Sequence, residues 1–322
     1  MATAEQLKSL IKAHFSSEDE RFFTIALQLA AHEAQQGHGA LAHEIRSIVD
    51  KARNDGKPKV IQFPRDLDSL ILTSAPNTPK TALVMPDELR TRIDRVINEY
   101  RQQERLKAHG LTHRRKLLLA GPPGTGKTMT ARVLAYELRL PLHAVQMDKM
   151  VTKFMGETSA KLRQVFDFMQ ESTGVYLFDE FDAVGGERSL DNDVGEMRRV
   201  LNSFLQFIEQ DQSDSLIIAA TNNPNLLDRA LFRRFDDILH YDLPDSSERK
   251  QLIGNVLGAT LPKSFNWKGI LAKSKELNHA EIDNACRDAI KHMILSNASH
   301  VTAATLSEML NERQSAMQGR KG

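Results

Sequence analysis

The densest chemistry in the chain lies in eight consecutive residues, Gly121-Pro122-Pro123-Gly124-Thr125-Gly126-Lys127-Thr128. They fit G-x-x-x-x-G-K-[ST], whose glycines let the backbone curl until successive N–H groups point at phosphate oxygens. Lys127 would reach the β- and γ-phosphates of a nucleotide, and the Thr128 hydroxyl would bind Mg²⁺. Further along, Asp179 and Glu180 close the apolar run Val175-Tyr176-Leu177-Phe178. Asp179 is placed to hold the same Mg²⁺ through its water shell. Glu180 is placed to polarise a water for in-line attack on the γ-phosphate. Asn222 follows another apolar run, Leu216 to Thr221, where an amide can orient the attacking water or sense the γ-phosphate. The blander readings are a glycine turn, a solvated strand exit and a turn asparagine; the three groups occurring together favour triphosphate chemistry.

These groups need elements that bring them to one place. Lys116-Leu117-Leu118-Leu119-Ala120 reads as a buried strand entering the glycine loop, and Met129 to Leu138 reads as a helix leaving it. Met129 is counted with the loop residues expected around the nucleotide. Leu142 to Val145, Val175 to Glu180, Leu216 to Thr221 and Ile238 to Tyr241 read as further strands, with helices between them. Such alternation predicts βαβ units and a parallel sheet. In open sheets of this kind ligands gather beyond the C-terminal strand ends, where the loop, Asp179 and Asn222 all fall.

The flanks differ in character. Residues 3 to 53 read as three helices, with capping-box signals at Thr3/Gln6 and Ser17/Glu20. Four prolines between residues 58 and 79 predict a linker with a short extended piece near Leu70-Ile71-Leu72. Pro86 to Leu106 reads as a helix. The basic triplet Arg114-Arg115-Lys116 reads as the solvated end of the following strand. From Ser246 onward only helical patterns occur, and Ile282, Ala285, Cys286, Ala289, Ile290, Met293 and Ile294 are expected to share one apolar face.

Bulk properties exclude several classes. A hydrophobic share of 41% and a charged share of 26% are ordinary for a globular protein. No apolar run approaches the roughly 18 residues of a membrane span. The first residues lack the basic start and apolar core of a signal peptide. A net charge of +1 gives no electrostatic case for nucleic acid. One cysteine, Cys286, excludes an internal disulfide framework and fits a reducing cytoplasm. There is no H-E-x-x-H and no G-x-S-x-G, so no peptidase signature is present.

Gly121 to Thr128, Phe178-Asp179-Glu180-Phe181-Asp182, Ala220-Thr221-Asn222 and Arg233-Arg234-Phe235-Asp236 stand in the order found in the AAA+ ATPases, and the chain resembles that family from about Met85 to Ala316. Within it the chain resembles the clade that includes katanin and spastin. The resemblance implies ATP and Mg²⁺ as cofactors and a ring-shaped homo-oligomer, a hexamer. It implies that Asn222 is sensor 1 and that Arg233 and Arg234 are arginine fingers reaching a neighbour's site. It implies that Lys153, Phe154 and Met155 form a pore loop gripping a polypeptide. Asp182 is left either as a third carboxylate or as a cap. Where the family carries Ser-Gly-Ala-Asp against the adenine, this chain has Asn278-His279-Ala280-Glu281, which puts His279 and Ala280 beside the base.

The fold expected is an α/β P-loop NTPase, a parallel sheet sandwiched by helices, with a C-terminal all-helical lid and an N-terminal helical bundle. The boundaries expected are 1–54 for the bundle, which would recruit a protein partner, 55–84 for a linker, 85–244 for the α/β part and 245–322 for the lid. The activity expected is ATP-driven remodelling of a protein threaded through the ring, with or without a separate protease. Two alternatives are a DNA-transaction ATPase such as a loader and a nucleotide-gated scaffold.

Overall fold

The structure, a computed structural model, describes residue 8 and residues 19–56, 67, 70–150, 157–181, 193–224 and 229–318. The chain divides into two compact units, Met1–Gln62 and Phe63–Gly322. In the first, α1 (Asp19–Gln35) and α2 (Gly39–Gly56) form a helical hairpin. Ala26, Ala30, Ala42 and Val49 are buried, and His38 Nδ1 meets Glu33 Oε2 at 2.7 Å across the turn. The other helix expected here falls on residues 1–18, of which only Lys8 is described.

The second unit is built on a six-stranded sheet in the order β1-β3-β4-β5-β2-β6. Its strands are β1 (Ile71–Ser74), β2 (Lys116–Ala120), β3 (Leu142–Val145), β4 (Val175–Phe178), β5 (Leu216–Thr221) and β6 (Asp237–His240). All neighbours are parallel except β1, which runs antiparallel along β3. The apolar runs explain the burial: β4 and β5 are buried throughout and β2 from Leu117 on, as strands covered on both faces must be.

The chain enters this unit earlier than the expected boundary at residue 85. The short extended piece expected within the linker is Ile71–Ser74, which pairs Ile71 with Val145 and Ser74 with Leu142, so it is the sheet's edge strand. Helices α3 (Asp87–Arg101) and α4 (Gln103–Ala108) follow, in place of one continuous helix to Leu106. Leu89, Ile93, Val96 and Ile97 of α3 join a core with α5 (Lys127–Leu138), which follows β2. Beyond β3 come α6 (Met147–Met150) and α7 (Glu157–Glu171), and beyond β4 comes α8 (Asp193–Gln210). Phe166 of α7 and Phe204 of α8 pack with Phe178 and Phe181 in an aromatic cluster.

At the edge opposite the strand C-termini, Arg115 corrects the reading of a solvated basic triplet. Its side chain is only 15% exposed and pairs with the wholly buried Asp211 at the end of α8. Asp211 also accepts from Gln170 Nε2 at 2.7 Å and from the Ser213 hydroxyl at 3.1 Å.

After α9 (Arg229–Phe232) and β6 the chain is helical: α10 (Ser246–Leu257), α11 (Trp267–Lys273), α12 (His279–Leu295) and α13 (Ala303–Gln318). Capping boxes start α10 (Asp245 with Glu248) and α12 (Asn278 with Glu281). Leu252, Ile253, Leu257, Ile282, Ala285, Cys286, Ala289, Leu306 and Leu310 make the core of this part. Ile294 departs from the expected face and is 61% exposed. At about 100° per residue it lies roughly 120° round from Ile282, so its side chain leaves the stripe.

Candidate functional site

Each loop at the C-terminal edge of the sheet is set by register. Ala120 lies opposite Thr221, and Phe178 lies opposite Ala219. The residues that follow, Gly121, Asn222 and Asp179, therefore emerge side by side. Gly121 N donates to Thr221 O at 3.2 Å as the loop leaves the sheet. Only glycine fits there, because a Cβ would stand 2.1 Å from the Tyr241 carbonyl oxygen. Gly124 has φ +72° and is pressed against Asn278, whose side chain would meet a Cβ at 2.6 Å. These two positions explain the glycines by close approach and by left-handed backbone.

The loop ends at the N-terminus of α5, where backbone N–H groups and the helix dipole favour an anion. Lys127 is buried, and its Nζ donates to the carbonyls of Gly121 and Pro122, both at 2.7 Å. The ammonium is thereby held inside the curl of the loop. Thr128 Oγ1 donates to Asp179 Oδ2 at 2.7 Å, bringing together the two residues expected to hold a metal. A hydroxyl and a carboxylate make a hard oxygen donor set suited to Mg²⁺. The Glu180 N–H donates to Asp179 Oδ1 at 2.9 Å, and Glu180 has φ +52°. That left-handed turn swings its exposed carboxylate out of the strand direction at the mouth of the site.

A cavity of about 790 Å³ joins these groups. Its phosphate end is lined by Gly124 to Met129, Asp179, Glu180 and Asn222. Its other end lies between Leu83-Val84, Leu252 and Val256 of α10, and His279 and Ala280 of α12. Pro123 borders it also, whereas Gly121 and Pro122 act from behind the loop through their carbonyls. The first turn of α12 is tied to the loop: the Ala280 N–H donates to Gly124 O at 3.0 Å, and Asn278 Nδ2 to Pro123 O at 3.1 Å. Burial lowers the pKa of the His279 ring, and interaction with the Val84 backbone opposes that shift.

Arg233 and Arg234 do not line this cavity; both are exposed on the turn after α9. Arg234 is paired with Glu209 of α8 in its own chain. Among the described residues Arg233 makes no ion pair. The turn is anchored by Asp236, whose Oδ2 accepts the N–H groups of Arg115 and Lys116, both at 2.9 Å. Lys153, Phe154 and Met155 lie outside the described residues, as does Asp182.

Sequence reasoning misses the cavity wall at Leu83-Val84, away from the glycine loop, and the Asn278 tie. The first lies in the presumed linker, where an apolar pair just ahead of Pro86 is the available signal; the second depends on residues 155 positions apart.

A doubly wound, mostly parallel sheet with a glycine loop, lysine, hydroxyl and paired carboxylates at its C-terminal edge defines a P-loop nucleoside triphosphatase. Residues 117–243 match the family described as "ATPase family associated with various cellular activities (AAA)". An "Uncharacterized AAA family ATPase y4kL" of Sinorhizobium fredii is 32% identical over 321 residues, covering 97% of this chain and 96% of the relative. The chain belongs to the AAA ATPases and hydrolyses ATP with Mg²⁺. It is also similar to two proteins named as ATP-dependent zinc metalloproteases: FtsH 2 of Petrotoga mobilis (30% identical over 234 residues) and FtsH 1 of Methylacidiphilum infernorum (30% over 236). Each match covers 70% of this chain, which spans 37% of the relative's length in each case. Among the described residues no helix is long and apolar enough to cross a membrane.

Proposed function

We propose that the chain works as a ring, a hexamer, that uses ATP hydrolysis to pull a protein segment through a central pore. The observation that carries this reading is the split between cavity and cation. Lys127, Thr128, Asp179, Glu180 and Asn222 line one cavity, while Arg233 stands exposed elsewhere on the same chain. A second copy presenting Arg233 to that cavity would complete it. A guanidinium arriving there stabilises charge building on the γ-phosphate, a contribution of about 10³-fold or more in rate.

Within one subunit the roles follow from position. The loop N–H groups and Lys127 bind and orient the phosphates. Thr128 and Asp179 would hold Mg²⁺, which would supply neutralisation of the phosphate charge. Glu180 takes the proton of the attacking water, and Asn222 orients that water. Of the two arginines, Arg233 is the finger acting in trans, and Arg234, through Glu209, steadies the turn that carries it.

Lys153, Phe154 and Met155 would grip the threaded segment from the loop ahead of α7. The helices from Ser246 to Gln318 would act as a lid that moves with the nucleotide. The helical hairpin, with whatever precedes it, would recruit the protein acted upon. Support for a protein substrate comes from the relatives named as ATP-dependent zinc metalloproteases, and cleavage would fall to a partner protease.

The test is Glu180→Gln in saturating ATP. The variant should bind ATP, remain assembled on sizing, retain client proteins and release no phosphate. A variant that stays monomeric at high concentration with ATP, while binding it, would refute the ring.

A further inference from the structure

We propose that Asn278 is a positioning residue for the phosphate loop: its side-chain amide holds the Pro123 carbonyl so that the loop's N–H groups face the bound phosphates. The inference rests on the reading of the cavity as the nucleotide site. Asn278 caps the start of α12 and is buried. Its Oδ1 accepts the Glu281 N–H at 2.9 Å, which fixes the other end of the amide as the donor. That donor, Nδ2, reaches Pro123 O at 3.1 Å, and the Ala280 N–H reaches Gly124 O at 3.0 Å. One side chain therefore caps a helix and ties it to the loop.

The carbonyls at the start of the loop are engaged in two different ways. Gly121 O and Pro122 O accept from Lys127 Nζ, and Pro122 O also accepts from the Thr125 hydroxyl at 2.8 Å. Those bonds lie within the loop, and Lys127 must loosen its hold to meet a phosphate. Pro123 O and Gly124 O are held from outside, by the start of α12. These ties do not depend on where Lys127 points.

A trans peptide unit points its C=O and its N–H in opposite directions. Fixing Pro123 O and Gly124 O toward α12 therefore turns the Gly124 and Thr125 N–H groups away from it. Among the described residues neither N–H is bonded within the chain, and both residues line the phosphate end of the cavity. With Gly124 at φ +72°, they form a concave pair of donors suited to an anion. Serine at this position, as in the family motif, caps a helix equally well but ends one bond short of the amide nitrogen that reaches Pro123.

The experiment measures the Kd of a fluorescent ADP analogue, KM and kcat for ATP, and the melting temperature without nucleotide, for wild type, Asn278→Asp, Asn278→Ser, Asp245→Ala and Lys127→Ala. Asn278→Asp keeps the cap, because a carboxylate oxygen still accepts the Glu281 N–H, but it sets an acceptor against the Pro123 carbonyl. It should melt near wild type, bind the analogue roughly tenfold more weakly, and raise KM for ATP by more than it lowers kcat. Asn278→Ser should fall between the two, and it is read in place of Asn278→Asp if that variant does not fold. Asp245→Ala, which removes the corresponding cap from α10, should lower the melting temperature and leave the analogue's affinity unchanged. Wild-type affinity in the Asn278 variant that is read, or a loss no greater than that in Asp245→Ala, would overturn the proposal while leaving the nucleotide site intact. Wild-type affinity in Lys127→Ala would instead overturn the site itself.

Discussion

Two inactive variants should restore each other. Suppose Arg233 serves the neighbour's site, as its exposure and its absence from its own cavity suggest. An Arg233→Ala subunit then has an intact Glu180 but gives nothing to its neighbour. A Glu180→Gln subunit has a dead site but still offers its arginine. Alone, the first should fall to roughly a thousandth of wild-type turnover, and the second lower still. In an equimolar mixture that assembles at random, a site works when an Arg233→Ala subunit holds it and a Glu180→Gln subunit faces it. Each condition is met half the time, so about one quarter of the sites recover in any closed head-to-tail ring, whatever its size. The assay is steady-state phosphate release at saturating ATP, with assembly checked by mass photometry. Arg234→Ala in place of Arg233→Ala should complement less, because Arg234 is paired with Glu209 in its own chain. A mixture no more active than the mean of its two components would refute action in trans.

Lys127→Ala should lose binding of a fluorescent ATP analogue, since its ammonium is the buried cation at the loop. Asp211→Ala should destabilise the chain by roughly 3–5 kcal/mol, because it strands the Arg115 guanidinium, and a thermal melt should drop clearly below wild type. His143 is 3% exposed, and burial holds its pKa down at about 4, against an ordinary value of 6.5. Between those values the unfolded chain binds a proton that the folded chain does not. Stability is therefore complete above pH 6.5 and falls as pH drops toward 4, by about 3 kcal/mol in all. Urea midpoints at pH 7.5 and 5 should diverge less in His143→Phe than in wild type; equal slopes would show that His143 is not the group responsible.

The parts readable from the sequence are those set by local spacing. Gly121 to Thr128 carry their geometry in eight adjacent residues, and β2, β4 and β5 announce themselves as short apolar runs because both their faces are covered. What cannot be read depends on partners far along the chain. The extended piece near Leu70-Ile71-Leu72 is legible, but that Ile71–Ser74 belongs to the sheet is not, because its partner β3 lies some seventy residues on. Arg115 reads as solvated because Asp211, which neutralises it, lies 96 residues away. At Asn278-His279 the departure from the family motif is visible in the sequence, but its meaning is not. That needs the loop carbonyls that occupy Asn278 and the Gly124 contact that occupies Ala280. Once those are counted, Asn278 is a tie between the start of α12 and the phosphate loop, and the departure from the family motif lies in how these two segments are held together.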